Sequence, residues 1–130
     1  NILTKQVSLK EAIRETDVEG LFAITSGPLP PNPAELLGSA SMEQLIKEVT
    51  DLFDIVLFDT PPLLAVTDAQ VMADKTDGTI LVVSSGRTDR EEAKKAKALV
   101  ESTKGKLLGA ILNNKKQDKS THYYYYYGNS

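Results

Sequence analysis

An apolar run that ends in a carboxylate is the segment of this sequence best suited to chemistry. The run Phe53–Asp59 contains Ile-Val-Leu-Phe before its final aspartate, and the turn-forming residues Thr-Pro-Pro follow it. In open α/β sheets, ligands bind beyond the carboxyl ends of the strands, where Asp59 would lie. A carboxylate there can hold Mg²⁺ or one of its waters, since Mg²⁺ prefers oxygen ligands and keeps several waters. Alternatively, Asp59 only caps the following turn.

The second chemical feature is a cluster of tyrosines. All 5 tyrosines of the chain lie in one uninterrupted run, which consists of Tyr123, Tyr124, Tyr125, Tyr126 and Tyr127. The surrounding segment, 114–130, is polar and low in complexity, so we expect it to be flexible when nothing binds it. We therefore divide the chain into a globular part, 1–113, and a tail, 114–130. The cluster could be a set of phosphate acceptors, a packed strand, since Tyr favours strands, or a low-complexity end without function.

Phosphorylation would change the charge of this tail strongly. Each phosphate adds about −1.5 to −2 charges near neutral pH, so full modification would add about −8 to −10. Lys115, Lys116 and Lys119 could not balance that charge. From Asn113 to Tyr127 the chain can extend over roughly 46–50 Å. The tail is therefore long enough to reach a neighbouring subunit.

Short apolar runs predict the strands that would position these residues. Some are continuous rather than alternating, which is typical of strands buried on both faces in a parallel sheet. The pattern predicts strands at Leu21–Thr25, Phe53–Asp59, Thr79–Ser84 and Leu107–Leu112.

Capping signals and apolar spacing predict helices between these strands. Ser8 and Thr88 each precede a glutamate by three positions, the capping-box pattern, and the pair Asn32-Pro33 is typical of a helix start. The predicted helices begin at Leu9, span Pro33–Leu37 and Ser41–Thr50, run from a cap at Thr67 or Asp68 to Lys75, and span Asp89–Lys104. Alternating strands and helices predict an α/β protein with a parallel sheet flanked by helices.

Composition excludes several classes of function. The 15 Lys and Arg against 18 Asp and Glu give a net charge of −3, which excludes a broadly basic nucleic-acid surface. The chain has no cysteine, so disulfides and thiol catalysis are excluded. No apolar stretch approaches the roughly 20 residues of a bilayer span. We therefore expect one folded domain and no nucleic-acid partner.

With these residues in view, the sequence resembles the bacterial tyrosine kinases, P-loop kinases of capsule and exopolysaccharide synthesis. Residues 53–62 resemble their Walker B segment, 27–37 resemble their Pro-Asn-Pro…Glu-Leu-Leu stretch, and Tyr123–Tyr127 resemble their terminal tyrosine cluster. The resemblance implies a P-loop NTPase-like α/β fold. It also implies that ATP and Mg²⁺ are the cofactors and that Asp59 is the catalytic metal-holding residue. The phosphate acceptors that it implies are Tyr123, Tyr124, Tyr125, Tyr126 and Tyr127.

One departure from the family is large. The phosphate-binding loop, Gly-x-x-x-x-Gly-Lys-Ser/Thr, does not occur in the sequence, because Gly105-Lys106 is followed by Leu107. The Asp-x-Asp motif of the family is missing too. The resemblance implies that both lie upstream of Asn1 and that this chain is the C-terminal part of the kinase domain. We therefore expect it to be inactive alone, because phosphoryl transfer depends on those groups.

The resemblance further implies partners and a location. Family members form rings in which each tail enters the next active site, and phosphorylation breaks the ring up. They work with a membrane activator, the polysaccharide co-polymerase, and with a protein tyrosine phosphatase. The protein would then be cytoplasmic and recruited to the inner face of the membrane through its partner.

Two other functions fit part of the sequence. A partition-type ATPase shares Asp-Thr-Pro-Pro, but such an ATPase has no use for a tyrosine tail. A non-catalytic module that offers its tail to another kinase would explain the missing phosphate loop.

Among single residues, Asn113 could contact a purine through its amide or merely end its strand. We expect Asp68 to cap a helix and His122 to be solvated.

Overall fold

The computed structural model describes residues 2–28 and 30–115. Within these ranges helices and strands alternate only in the C-terminal part, residues 68–113. The elements are α1 (Leu9–Ala12), β1 (Arg14–Glu15), β2 (Phe22–Ala23), α2 (Pro33–Leu37), α3 (Ala40–Leu52), α4 (Asp68–Ala73), β3 (Gly78–Ser84), α5 (Arg90–Glu101) and β4 (Lys106–Asn113).

A parallel pair of strands forms the centre of the fold. β3 and β4 pair from Gly78 opposite Lys106 to Ser84 opposite Asn113, with an irregularity between Thr79 and Ile80. Helix α5 connects the two strands and packs against both. The predicted strands Thr79–Ser84 and Leu107–Leu112 and the crossover between them are therefore confirmed.

Local caps explain where the helices begin. Ser8 and Glu11 form the predicted capping box of α1, and these hydrogen bonds lower the pKa of the Glu11 carboxyl. Helix α2 has the predicted bounds, although the Asn32 side chain donates to the Glu35 carboxylate instead of capping. Thr67 takes the N-cap position of α4, without a side-chain capping bond.

Helix α5 begins one residue later than predicted. Asp89, rather than Thr88, is its N-cap, and Asp89 forms a capping box with Glu92. The Thr88 hydroxyl instead accepts a hydrogen bond from the Ser84 N–H at 3.3 Å. The helix also ends at Glu101, before the predicted Lys104, and Ser102 is its C-cap.

Small and aliphatic side chains from the three longer helices make up the core. The buried hydrophobic residues come from α3, α4 and α5, and Val100 has no exposed surface at all. They are Met42, Val49, Ala69, Met72, Ala73, Ala96 and Val100. The core therefore depends on packing among these helices, with α4 packed against α2 and α5.

Two polar contacts connect α3, the end of α4 and the segment before β4. The Lys104 N–H donates to the Asp74 carboxylate at 2.7 Å, and Lys75 donates to Glu43 at 2.6 Å. The hydrogen bond from Lys75, together with its positive charge, lowers the pKa of Glu43. These contacts hold α3, the end of α4 and the start of β4 together.

Gly105 is required where α4 approaches β4. It is buried, and a Cβ atom there would overlap the backbone carbonyl oxygen of Ala73. We expect Gly105→Ala to lower the free energy of unfolding by about 2–3 kcal/mol, because backbone cannot move aside as a flexible side chain can. Urea unfolding of the 130-residue chain measures this, with Gly109→Ala as the matched control. A Cβ at Gly109 meets nothing within 4 Å, so equal losses for both variants would contradict the prediction.

The prediction of a strand at Phe53–Asp59 is wrong for the described chain. Residues 55–60 belong to no helix or strand, and Ile55 and Leu57 are 79% and 83% exposed. An extended run becomes a strand only when a neighbour pairs with its backbone. Neither β3 nor β4 pairs with this run.

The predicted strand Leu21–Thr25 is present only in part and in a different place. Phe22 and Ala23 pair antiparallel with Arg14 and Glu15, separately from the β3–β4 sheet. The connecting loop turns at Gly20, whose φ of 77° lies in the left-handed region that favours glycine. The Phe22 ring packs 5.2 Å from that of Phe53, between centroids, and links this hairpin to the end of α3.

Among residues 2–28 and 30–115, no helix has the length and apolar character needed to cross a membrane.

Candidate functional site

The carboxyl ends of β3 and β4 are joined by a set of hydrogen bonds. Ser84 lies opposite Asn113, and the Ser85 N–H donates to the Asn113 carbonyl at 2.8 Å. The Asn114 amide donates to the Ser84 hydroxyl at 2.9 Å. Asn114 has a φ of 57°, which Asn tolerates better than most residues. These hydrogen bonds therefore fix the backbone conformation at this edge of the sheet.

A tight turn extends the same edge from β3 towards α5. The Ser84 carbonyl accepts from the N–H groups of Arg87 and Thr88 at 3.2 and 3.0 Å. Gly86 has a φ of 75°, so the turn needs a residue that tolerates the left-handed region. The hydrogen-bonding roles of Ser84, Thr88 and Asn114 were not predicted from the sequence. The run Ser-Ser-Gly at 84–86, which is typical of a turn, was the signal that could have indicated them.

Asn113 takes part in a local turn. Its side-chain oxygen accepts from the Asn114 N–H at 2.9 Å. This hydrogen bond is the one expected if Asn113 ends its strand, and it leaves the side-chain NH₂ available to a ligand. A contact with a purine therefore stays a prediction that involves this NH₂ group alone.

Asp59 lies at the end of the apolar run, just before the chain turns. The Ala65 N–H donates to the Pro62 carbonyl at 3.0 Å and closes a turn just after Asp59. Asp59 is exposed. Within the described part of the chain, its carboxylate makes no hydrogen bond or ion pair, neither to that turn nor to Ser84 or Asn113. The expected turn-capping bond is therefore absent from this part, and the carboxylate is free to take a ligand.

The donor set at Asp59 suits Mg²⁺ better than a metal enclosed by protein. Among the described residues, no group of three or more His, Cys, Asp or Glu side chains could hold a metal ion. Mg²⁺ commonly uses one or two carboxylates and completes its shell with water and substrate phosphates. A single exposed carboxylate is consistent with this mode of coordination, and Asp59 could hold the ion directly or through water.

Asp68 does not cap the helix that it was expected to cap. It is the first residue of α4 and is half-buried, one residue after the N-cap Thr67. The prediction of a cap at Asp68 is therefore wrong, and the alternative residue, Thr67, has the cap position.

The predicted phosphate acceptors lie outside the residues that the structure describes, and so do His122 and most of the proposed tail 114–130. The acceptors concerned are Tyr123, Tyr124, Tyr125, Tyr126 and Tyr127. Their role as phosphate acceptors therefore stays a prediction from the sequence. The boundary between a globular part and a tail after Asn113 stays a prediction as well.

Comparison with known proteins identifies close relatives, although no protein-family model matches the chain. The chain is 49% identical to tyrosine-protein kinase YwqD of Bacillus subtilis (strain 168) over 115 residues, 88% of this chain and 48% of that kinase. Tyrosine-protein kinase CpsD of Streptococcus agalactiae serotype III (strain NEM316) is 41% identical over 113 residues, 87% of this chain and 49% of CpsD. The chain thus spans about half the length of these relatives.

Solved structures have the same fold. The kinase domain of Escherichia coli tyrosine kinase ETK matches with a TM-score of 0.83 and 35% identity, over 98% of this chain and 50% of that one. The α/β fold and its parallel sheet are those of such domains. These matches confirm the resemblance to the bacterial tyrosine kinases, to which this chain is similar over most of its length.

Proposed function

We propose that this chain is part of an ATP-dependent, autophosphorylating protein-tyrosine kinase that regulates capsular and exopolysaccharide synthesis. The observation that carries the proposal is the exposed carboxylate of Asp59, which ends an apolar run and has no hydrogen bond or ion pair with residues 2–28 or 30–115. The run lies in a chain 49% identical to a tyrosine-protein kinase. The tyrosine cluster supports the same function, because it offers phenol groups on a polar segment.

In this proposal Asp59 holds the Mg²⁺ of MgATP. The ion, when bound, neutralises charge on the phosphates that are being transferred. The Asn113 side-chain NH₂ lies at the carboxyl end of β4 and contacts the purine. Asp59 itself orients the ion, because its carboxylate has no competing partner among the described residues.

The tyrosine cluster accepts the phosphate, and it serves a neighbouring molecule. The unmodified tail enters the next active site in a ring of copies. Phosphorylation adds about −8 to −10 charges to the tail. Because the bound nucleotide is also anionic, the modified tail is repelled and the ring opens. The proposed acceptors are Tyr123, Tyr124, Tyr125, Tyr126 and Tyr127.

The complete protein works in the cytoplasm at the inner face of the membrane. A membrane activator, the polysaccharide co-polymerase, recruits it, and a protein tyrosine phosphatase removes the phosphates. These partners are implied by the resemblance to the bacterial tyrosine kinases. In this proposal residues 1–113 form the folded kinase part, and residues 114–130 form the acceptor tail.

We expect the isolated chain to bind MgATP weakly and to have negligible kinase activity. Its sequence has no Gly-Lys-Ser/Thr loop, so no backbone cradle or lysine of that kind neutralises the phosphates. Calorimetric titration with MgATP checks this, and complete YwqD is the positive control. A micromolar Kd for the 130-residue chain would contradict the prediction.

A chimera tests the function itself. Residues 1–130 replace the matching part of YwqD, and this protein, called the chimera below, is incubated with MgATP. Phosphate on tyrosine is the expected result. ATP hydrolysis without labelled tyrosine would favour the partition-type ATPase. Labelling only after a second active kinase is added would favour the non-catalytic module.

A further inference from the structure

Positive charge is concentrated in the last third of the described chain. The whole chain has a net charge of −3, but residues 84–115 contain 8 Lys and Arg against 4 Asp and Glu. Each of these carboxylates already has a partner, either in the cap of α5 or in an ion pair with a lysine of α5. They are Asp89, Glu91, Glu92 and Glu101. The segment therefore has cations left to attract an anion from elsewhere.

Three of these cations lie at the carboxyl ends of β3 and β4. Arg87 is in the turn after β3, Arg90 is the first residue of α5, and Lys115 comes two residues after β4. The two strands end side by side, with Ser84 opposite Asn113, so the three residues belong to one edge of the sheet. All three are exposed, and no described residue forms an ion pair or hydrogen bond with their side chains. They are called the basic edge below.

Hydrogen bonds fix the backbone that carries the two arginines. The Arg87 N–H donates to the Ser84 carbonyl at 3.2 Å, and the capping box of Asp89 with Glu92 fixes the start of α5 around Arg90. A group on a fixed backbone loses less conformational freedom when it binds a ligand. The planar guanidinium can donate two parallel hydrogen bonds to one phosphate. The chemistry of the basic edge therefore suits phosphate groups.

The tail of the chain starts at this edge, and phosphorylation would reverse the sign of its charge. The side chains of residues 116–130 include two Lys and one Asp, so the basic edge does not attract the unmodified tail. Phosphate on all five tyrosines would add about −8 to −10 charges. The 8 residues from Lys115 to Tyr123 can span up to about 26–29 Å. Helix α5, with 12 residues, is only about 18 Å long, so the phosphotyrosines can reach the basic edge of their own molecule.

We propose that the basic edge binds the phosphorylated tail of the same molecule through its phosphotyrosines. Arg87 and Arg90 donate hydrogen bonds to the phosphates, and Lys115 adds positive charge where the tail begins. A tail that is bound in this way cannot enter the active site of a neighbour until a phosphatase removes the phosphates. The inference rests on the proposed function, because it requires that the tyrosines are phosphorylated.

A synthetic phosphopeptide tests the binding without any kinase activity. The fluorescently labelled peptide has the sequence of residues 116–130 with phosphate on every tyrosine, and the 130-residue chain is titrated into it at about 0.15 M salt. Its Kd should be at least about 100-fold lower than that of the unmodified peptide, because arginine–phosphate hydrogen bonds are charge-assisted. Binding should be lost near 1 M salt, where the Debye length is about 3 Å. A failed kinase assay would not change these results.

Two double substitutions identify the cations that bind the phosphopeptide. Arg87→Gln together with Arg90→Gln should weaken binding by about tenfold or more, because both guanidinium groups are lost. The matched control is Lys104→Gln together with Lys106→Gln, which removes the same charge beyond the other end of α5 and at the start of β4. This control should change the Kd by less than about twofold, since the length of α5 exceeds the Debye length of about 8 Å.

Ligation of the phosphopeptide to residues 1–115 tests whether the tail binds its own molecule. Light scattering should show a monomer that no longer binds added phosphopeptide. A ligated chain that assembles, and that the two arginine substitutions dissociate, would assign the basic edge to a neighbour's tail instead.

Other outcomes would overturn the proposal as well. A phosphopeptide that binds no more tightly than the unmodified peptide, or equal losses in the arginine and lysine variants, would show that the basic edge is not a phosphotyrosine site. Arginine variants that bind the phosphopeptide normally but lower the MgATP affinity of the chimera would assign the edge to the nucleotide.

Discussion

Replacing Asp59 by asparagine is expected to lower tyrosine phosphorylation in the chimera by about 100-fold or more. The substitution keeps the shape of the side chain but removes the negative charge that is proposed to hold Mg²⁺. Stabilisation of transition-state charge by a metal ion is worth several kcal/mol, and each ~1.4 kcal/mol changes a rate tenfold. Initial rates of phosphotyrosine formation, measured over a range of Mg²⁺ concentrations, give the effect.

The matched control for this variant is Asp51→Asn. Asp51 is an exposed carboxylate in the last turn of α3, close in sequence but outside the candidate site. Its rate should stay within about twofold of the original, as is usual for surface substitutions. If Asp59→Asn kept the full rate at every Mg²⁺ concentration, Asp59 would not be the metal-holding residue.

Changing all of Tyr123–Tyr127 to phenylalanine is expected to remove phosphotyrosine from this part of the chimera altogether. The chain has 5 tyrosines, all within this cluster, so no other phenol of residues 1–130 can accept phosphate. Phenylalanine keeps the rings and removes only the hydroxyl groups. Nucleotide binding should therefore stay unchanged. Mass mapping after incubation with MgATP locates the phosphate, and calorimetry measures ATP binding.

Neighbouring hydroxyl groups provide the control for the tyrosine variant. Ser120→Ala together with Thr121→Ala should leave the phosphate content unchanged, because the proposed acceptors are phenols. Phosphate that stays on residues 114–130 after the change to phenylalanine would mean that the tail is modified elsewhere. The tyrosine cluster would then not be the acceptor.

Local signals in the sequence predicted much of the secondary structure correctly. The Ser8–Glu11 box and Asn32-Pro33 start helices where expected, because each signal acts within one turn of backbone. The start of α5 was displaced because two overlapping pairs, Thr88 with Glu91 and Asp89 with Glu92, both fit the pattern. Asp89 forms the box, and the Thr88 hydroxyl serves the turn after β3 instead.

Pairing between distant segments was beyond local signals. The run Phe53–Asp59 has a strand's composition, but composition does not say whether a neighbour is available to pair with it. The hairpin of Arg14–Glu15 with Phe22–Ala23 was missed for a related reason. Its strands are two residues long, too short for an alternating pattern to identify.

The same contrast between local signals and long-range pairing applies to the candidate site. Asp59 was selected because a carboxylate after an apolar run has a physical meaning that can be read directly from the order of residues, and its metal-holding role stays a prediction. The contacts of Asn114 with Ser84 and of Thr88 with Ser84 depend on how β3 and β4 are aligned. That alignment includes an irregularity at Thr79 and Ile80, which no pattern in the sequence indicates.

Mixing two defective chimeras tests the central claim most directly: that Asp59 of one molecule serves the tyrosines of another. The Asp59→Asn chimera keeps its tyrosines but lacks the metal-holding carboxylate, whereas the chimera with Tyr123–Tyr127 changed to phenylalanine keeps Asp59 but has no acceptor. Neither should form phosphotyrosine in this region alone. Together with MgATP they should restore it, with all of the phosphate on the tail of the Asp59→Asn molecule. A mixture that stays unlabelled would contradict the account.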